Sequence, residues 1–250
     1  MGGAVLMPDI LAFSTGAEDQ RSVQEVTTAL AKTLHLTEEL HPLPATGAAV
    51  LRLVEDPDVR LAVLPYVPGV TDRLVTDVMG RSSKPLVLVP PDGAPGSDGL
   101  VSRVLVPLDG TVESAETVAE TVDLFASSGA DIVVLHVFDE TTVPKFWDQP
   151  VHARRSWDEE FLARYCDQPD ARLELRSGSP GESILDVAAS ERPDLIALGW
   201  SQDLTAGRAK TVRTTVERSG TPVLLLPVPS ARGHADSPWS AVPTRTGARS

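Results

Sequence analysis

Cysteine is almost missing from this chain: Cys166 stands alone among 250 residues. A single thiol closes no internal disulfide, builds no cysteine-based metal site and suits a reducing compartment. Basic charge is also short, with 22 Lys and Arg against 35 Asp and Glu, a net −13. That balance opposes the counterion release behind nucleic-acid affinity, so no DNA- or RNA-binding role is expected. No segment approaches the roughly 20 apolar residues of a membrane helix. The apolar start, MGGAVLMPDILAFSTG, lacks the basic region that opens a secretion signal. No membrane partner is expected, and the expected location is cytoplasmic. Missing too are a Ser-His-Asp grouping, a His-x-x-x-His pair and a Gly-Lys-[Ser/Thr] phosphate loop. No catalytic constellation remains, and the chain reads as a non-enzyme.

What is present is a repeat. Residues 49–66, AVLRLVEDPDVRLAVLPY, lie over residues 183–200, SILDVAASERPDLIALGW, at a constant offset of 134. The run KPLVLVP at 84–90 lies over TPVLLLP at 221–227, and ILAFSTG at 10–16 lies over VLVPLDG at 104–110. A repeat this long exceeds one supersecondary unit, so each copy should be a small domain.

Short apolar runs alternate with helical periodicity in both copies. In the first, strands are expected near 9–15, 40–43, 59–63 and 86–89, with helices near 23–34, 46–56 and 70–81. In the second, strands are expected at 103–108, 131–137, 171–176, 194–198 and 222–226. Its helices fall at 113–127, 153–166, 181–191 and 208–219. Such alternation argues for parallel sheets covered on both faces: two tandem doubly wound α/β domains. Between Gly16 and Gly47 the first copy is 40 residues shorter than the second is between Gly110 and Gly181. One strand and one helix fit that gap, which predicts four strands in the first domain and five in the second.

The Pro-, Gly- and Asp-rich stretch PPDGAPGSDGLV reads as a linker. The expected division is a shortened domain at 1–90, a linker at 91–101, a complete domain at 102–228 and a disordered tail at 229–250. Both copies end in an apolar strand bounded by prolines, which would be an aggregation hazard as an open edge. The expectation is that strand 86–89 pairs with strand 223–226 inside one molecule, as a pseudo-dimer. Association of two chains into a homodimer, and an unnamed protein partner, stay open.

Ligands of open parallel sheets gather at the carboxyl ends of the strands. The run VLVPLDG, a helix, IVVLHV, then GESILDVAASERPDLIALG and PVLLLPV resembles the universal stress protein family over most of 102–228. Residues 9–90 resemble a shortened copy, so the chain is similar to a tandem member of the family. The resemblance implies that Asp109 and Val137 stand where nucleotide-binding members hold adenine and ribose. It also implies a phosphate loop of the form G-x-x-G-x9-G-[ST] after the fourth strand.

The chain departs from that loop. Gly199 matches the first glycine, but Gln202 stands at the second, and Val212 and Arg213 at the closing pair. A shortened alignment puts Ala209 and Lys210 there, leaving Gly207 to supply flexibility. Ser201, Thr205, Gly207, Arg208, Lys210 and Thr211 form a polar, basic stretch that could gather a phosphate by another route. Trp200 adds bulk at the lip of the cleft. In the first copy Thr15 replaces the aspartate and Pro65 the glycine, with Tyr66 beside it, and proline brings no N–H to a phosphate.

Three readings follow: a non-enzymatic regulatory module without a cofactor, an ATP-binding regulator using the second copy, and a sensor of a non-nucleotide small molecule or anion. Several residues invite blander readings. Asp109 can cap the following turn. His136 fits a satisfied core or rim histidine, and Cys166 fits packing. Glu159 and Glu160 beside Asp158 read as a solvated face. Trp147 and Trp157 read as packing on the sheet edge rather than a lid over 139–157, and His234 and Trp239 in the tail read as incidental.

Overall fold

The computed structural model describes residues 8–96, 98–138, 151–166, 168–202 and 207–228. The expectations for 139–150, for Trp147, for Thr205 and for the tail with His234 and Trp239 lie outside the described residues.

The chain runs β1 (Ile10–Ser14), α1 (Ala17–Leu34), β2 (Glu38–Pro42), α2 (Gly47–Val54), β3 (Leu61–Pro65), α3 (Asp72–Met79) and β4 (Leu86–Val89). The second half follows as β5 (Arg103–Leu108), α4 (Val112–Ser127), β6 (Asp131–Phe138), α5 (Val151–Tyr165) and β7 (Arg172–Ser177). It ends with α6 (Pro180–Glu191), β8 (Leu195–Trp200), α7 (Gly207–Arg218) and β9 (Val223–Pro227). All strands among the described residues join one sheet in the order β2-β1-β3-β4-β9-β8-β5-β6-β7. Every pairing is parallel except β4 with β9.

That one antiparallel join is the seam expected from the matched edges. Leu86, Val87 and Leu88 stand opposite Leu225, Leu224 and Val223, so apolar residues meet apolar residues and two hazardous edges vanish. Four strands lie on one side of it and five on the other. What the first half lacks is α5 and β7, an outer strand with its preceding helix. Removing an outermost strand shortens a sheet without opening a hole in it.

The core is arranged by sheet face, and each apolar layer crosses the seam. Alternation along the strands does this: Ile10 and Ala12 face one layer while Leu11 and Phe13 face the other. One layer carries α1, α4 and α5; the other carries α2, α3, α6 and α7. The two halves therefore share both cores instead of owning one each.

Helix α1 starts six residues before the apolar periodicity does. Its start is set by Asp19, whose carboxylate accepts from the Ser14 hydroxyl (2.6 Å), the Thr15 N–H (3.0 Å) and hydroxyl (2.6 Å), and the Gly16 N–H (3.3 Å). The glycine shared by both copies opens α2 and α6. A β-carbon on Gly181 would lie 2.9 Å from Thr214 Cβ on α7, and one on Gly47 would strike the Asp77 carboxylate on α3. Close approach of paired helices explains both. Just before β5 the chain is anchored, where the Val101 N–H donates to Thr33 on α1 (2.9 Å) and the Ser102 N–H to Asp194 (2.7 Å).

Candidate cleft of the second half

Strand β5 sends α4 to one face of the sheet, while α6 and α7 cover the other. The switch of direction falls between β5 and β8, where such sheets leave a crevice at the strand ends. A cleft of about 600 Å³ opens there.

The β5 end supplies Asp109 and Gly110. Gly110 has φ +78, and a β-carbon on it would sit 3.2 Å from His136 Cε1, so backbone conformation and space both call for glycine. The Asp109 carboxylate accepts from the Thr111 N–H (3.1 Å) and hydroxyl (2.7 Å). Thr111 in turn caps α4 by accepting from the Ser114 N–H at 3.2 Å. The turn-capping reading of Asp109 is therefore realised, and the same residue borders the cleft.

The β6 end supplies His136, Val137 and Phe138. His136 is buried, with Nδ1 2.9 Å from the Leu108 carbonyl oxygen. Burial pushes its pKa below the usual 6.5, against smaller raising effects of that hydrogen bond and of Asp109. The neutral ring donates through Nδ1, as the core-or-rim reading requires.

Helix α5 contributes Trp157, Phe161 and Tyr165, with Glu160 and Arg164 between them. Trp157 stacks on Phe161 with ring centroids 5.0 Å apart and lies 5.7 Å from His136. Trp157 packs against the core as expected and also forms part of the cleft wall. Glu160 is exposed as expected, but it too borders the cleft. Phe161 and Tyr165 were missed. Their signal was the four-residue spacing from Trp157, which stripes three rings along one helix face.

Of the six residues singled out for a nucleotide, Asp109, Val137, Gly199 and Thr211 meet around this cleft. Gly207 opens α7, and Lys210 is exposed on it outside the cleft lining. Cys166 is buried.

Trp200 and Gln202, just past Gly199, turn away from the cleft. Trp200 is buried, and its indole N–H donates to the Met79 carbonyl at the end of α3, 2.9 Å away in the first half. It does not crowd the cleft lip. The signal was parity: Trp200 continues the face of Ile196 and Leu198, which points into the layer of α6 and α7. Gln202 takes the left-handed conformation, φ +60, and its carboxamide donates to the Ser82 carbonyl, also in the first half. Tyr66, at the position matching Trp200, keeps its hydrogen bond within its own half, to Asp72. It is buried, and burial first, then Asp72 and the more distant Glu217 of α7, push its hydroxyl pKa up from 10.

Among the described residues no group of three or more His, Cys, Asp or Glu could hold a metal ion, and no helix is long and apolar enough to cross a membrane.

A doubly wound sheet with a crevice at its switch point defines a class of α/β fold that hosts many unrelated tasks. Within that class the chain belongs to the universal stress protein family, whose model matches residues 101–227. A universal stress protein from Archaeoglobus fulgidus DSM 4304 is similar in structure across both halves, at TM-score 0.62 and 14% identity, covering 88% of this chain and 96% of that one. A functionally unknown protein from Pseudomonas aeruginosa PAO1 is similar at TM-score 0.55 and 12% identity, covering 87% and 81%. A universal stress protein in complex with cAMP covers 52% of this chain and 98% of its own length, at TM-score 0.40 and 20% identity. No curated protein matches the chain significantly. At these identities the likeness shows the fold.

Proposed function

We propose that the protein is a non-enzymatic regulatory module of universal stress protein type that does not take ATP through the family's phosphate loop. Residues 1–90 and 102–228 are its two domains on this reading, with 91–101 joining them. One observation carries it: the residues at the second-glycine position and beside the first glycine are committed to the first half. Gln202 spends its carboxamide on the Ser82 carbonyl and Trp200 its indole N–H on Met79. The stretch Gly199–Gln202, tied at two of its residues, has little freedom to close its backbone N–H groups on phosphates.

The alternative is an adenine-nucleotide regulator in which Asp109 and Val137 hold the base and ribose and Gly199, Gly207, Lys210 and Thr211 serve the phosphates. It draws support from the open cleft that four of these six residues border. Calorimetry of the full chain with ATP and magnesium separates the two. No heat at millimolar ATP is the expected result. Binding that Asp109→Ala abolishes would put the nucleotide regulator in its place.

A further inference from the structure

The seam uses up one edge of each half, β4 and β9, and among the described residues the sheet then ends at β2 and β7. An outer strand leaves backbone donors and acceptors unpaired, and its sequence decides whether another strand can join it. Strand β2, EELHP, is guarded: Pro42 brings no N–H, and Glu38 and Glu39 set like charges side by side. Strand β7, RLELRS, contains no proline, and its charges alternate in sign.

The register shows which groups of β7 point outward. Val133 to Phe138 of β6 stand beside Arg172 to Ser177 in parallel, and the Gly178 N–H donates to the Phe138 carbonyl at 2.9 Å. Alternate residues point their backbone groups to the same side, so Arg172, Glu174 and Arg176 turn theirs toward β6. Leu173 and Leu175 turn theirs outward. Side chains alternate between the faces: Ala171 and Leu173 pack against the layer of α1, α4 and α5, and Arg172, Glu174 and Arg176 lie on the other face.

We propose that two copies of this chain associate through β7, its edge pairing antiparallel with the same edge of the second copy about a two-fold axis at Leu173. That axis sets Leu173 against the partner's Leu173, and Leu175 against the partner's Ala171. These positions carry the outward backbone groups and exchange N–H···O=C bonds. The Ala171 N–H is withheld, being given to the Gln168 carbonyl at 3.1 Å. The acceptor this leaves without a donor is the Leu175 carbonyl, and the Arg176 guanidinium already donates to it at 3.0 Å.

Between these positions fall the non-hydrogen-bonded ones, where facing side chains come closest. There Arg172 faces the partner's Glu174, and Asp170 faces the partner's Arg176. Symmetry repeats both pairs, so every facing charge is opposite. An axis at Glu174 would set that carboxylate against itself and Arg172 against the partner's Arg176. An axis at Leu175 would leave Arg172 facing the partner's Gly178. The ion pairs of β7 within one chain do not prevent the contact. Arg172 meets Asp131 at 3.1 Å and Glu191 at 3.0 Å, and Arg176 meets Glu174 at 2.8 Å, all partly open to water. Such pairs contribute little by themselves, and a guanidinium has donors enough to hold a second carboxylate.

Sedimentation equilibrium of the full chain, together with hydrogen exchange over residues 170–177, tests the contact. A dimer mass is expected at about 100 μM, with exchange at Leu173 and Leu175 slowing as concentration rises. Glu174→Arg sets like charges face to face and should weaken association about tenfold or more. Adding Arg172→Glu to Glu174→Arg restores opposite signs about an axis at Leu173, and association should recover. The exchange measurement needs no variant and decides the case should either variant fail to fold. A monomer throughout the range up to about 100 μM overturns the proposal. So does a dimer without slowed exchange at Leu173 and Leu175, or one indifferent to Glu174→Arg. A folded double variant that stays dissociated overturns the register, and mass that grows beyond a dimer marks a head-to-tail join of β7 to β2 instead.

Discussion

At the end of β1 the first half closes its helix start with its own carboxylate; at the end of β5 the second half leaves that place as the border of a cleft. Asp19 takes up the Ser14 hydroxyl, both donors of Thr15 and the Gly16 N–H. These are the donors that would otherwise face a ligand at the amino end of α1. In the second half Thr111 caps α4 and Asp109 stays at the rim. The first half also lacks α5, and with it any ring-lined wall. The halves meet through the β4–β9 pairing and through Trp200 and Gln202, which reach Met79 and Ser82, and the crevice lies in the second half.

The comparison is broken most severely at the seam. Trp200→Ala removes a fully packed ring from the layer shared by α3 and α7 and leaves the Met79 carbonyl without its donor. A loss of about 3–5 kcal/mol is expected from urea unfolding. A single cooperative transition should persist, because both layers span the halves. Two separate transitions in the wild-type protein would show instead that the halves hold themselves together independently.

Next comes the carboxylate that closes the first half. Burial alone would raise the Asp19 pKa, but hydrogen bonds from Ser14, Thr15 and Gly16 outweigh it and hold the carboxyl below its ordinary 3.8. A carboxyl lowered on folding stabilises above its unfolded pKa and loses that contribution as pH falls through the folded one. Asp19→Asn should therefore cost about 2 kcal/mol at pH 7, a charge-assisted cap being lost. The gap between variant and wild type in urea titrations should narrow as pH falls below about 4, where the wild-type carboxyl takes up its proton.

Most of the fold was legible because its signals are local and redundant. Short apolar runs such as Val104–Val106 are unambiguous beside amphipathic helices, and the four-against-five strand count follows from subtracting 31 positions, Gly16 to Gly47, from 71, Gly110 to Gly181. Proline-bounded edges disclosed the seam. Less of the cleft was legible. Asp109, Val137, Gly199 and Thr211 came together because strand ends and one helix start determine their place. Trp200 was misplaced because bulk was weighed before strand parity. Lys210 sits outside the cleft because one residue along a helix turns a side chain by about 100°. Asp19 escaped notice because a residue three past a glycine reads as an ordinary first-turn acid, and only the fold brings Ser14 and Thr15 to it.

A smaller test uses the glycine that both copies keep for different neighbours. Gly181→Ala sets a methyl against Thr214 Cβ, close to its backbone on α7, and should cost about 1–3 kcal/mol. Gly47→Ala meets the Asp77 carboxylate, which is exposed, paired with Arg81 and able to swing aside, and more mildly the Asp77 Cβ at 3.1 Å. The gain in helix propensity, about 1 kcal/mol, then offsets what remains, and thermal unfolding should show little change. Equal costs at the two sites would mean that α2 and α3 are as tightly locked as α6 and α7.

The smallest expected effect is at Gln202, where two terms oppose. Its left-handed backbone strains any residue with a β-carbon by about 1 kcal/mol, and glycine relieves that strain. Its carboxamide bond to the Ser82 carbonyl contributes about 1 kcal/mol, and glycine forfeits it. Gln202→Gly should therefore unfold within about 0.5 kcal/mol of wild type, while Gln202→Ala, which keeps the strain and loses the bond, should fall about 1 kcal/mol below it. The difference between these two variants isolates the backbone term, because both lack the carboxamide. Gln202→Gly also restores the second glycine of the family's loop pattern. ATP binding gained by this variant, measured calorimetrically, would mean that one side chain holds the loop away from phosphates. No gain would mean that Trp200 and Met79 hold it without help.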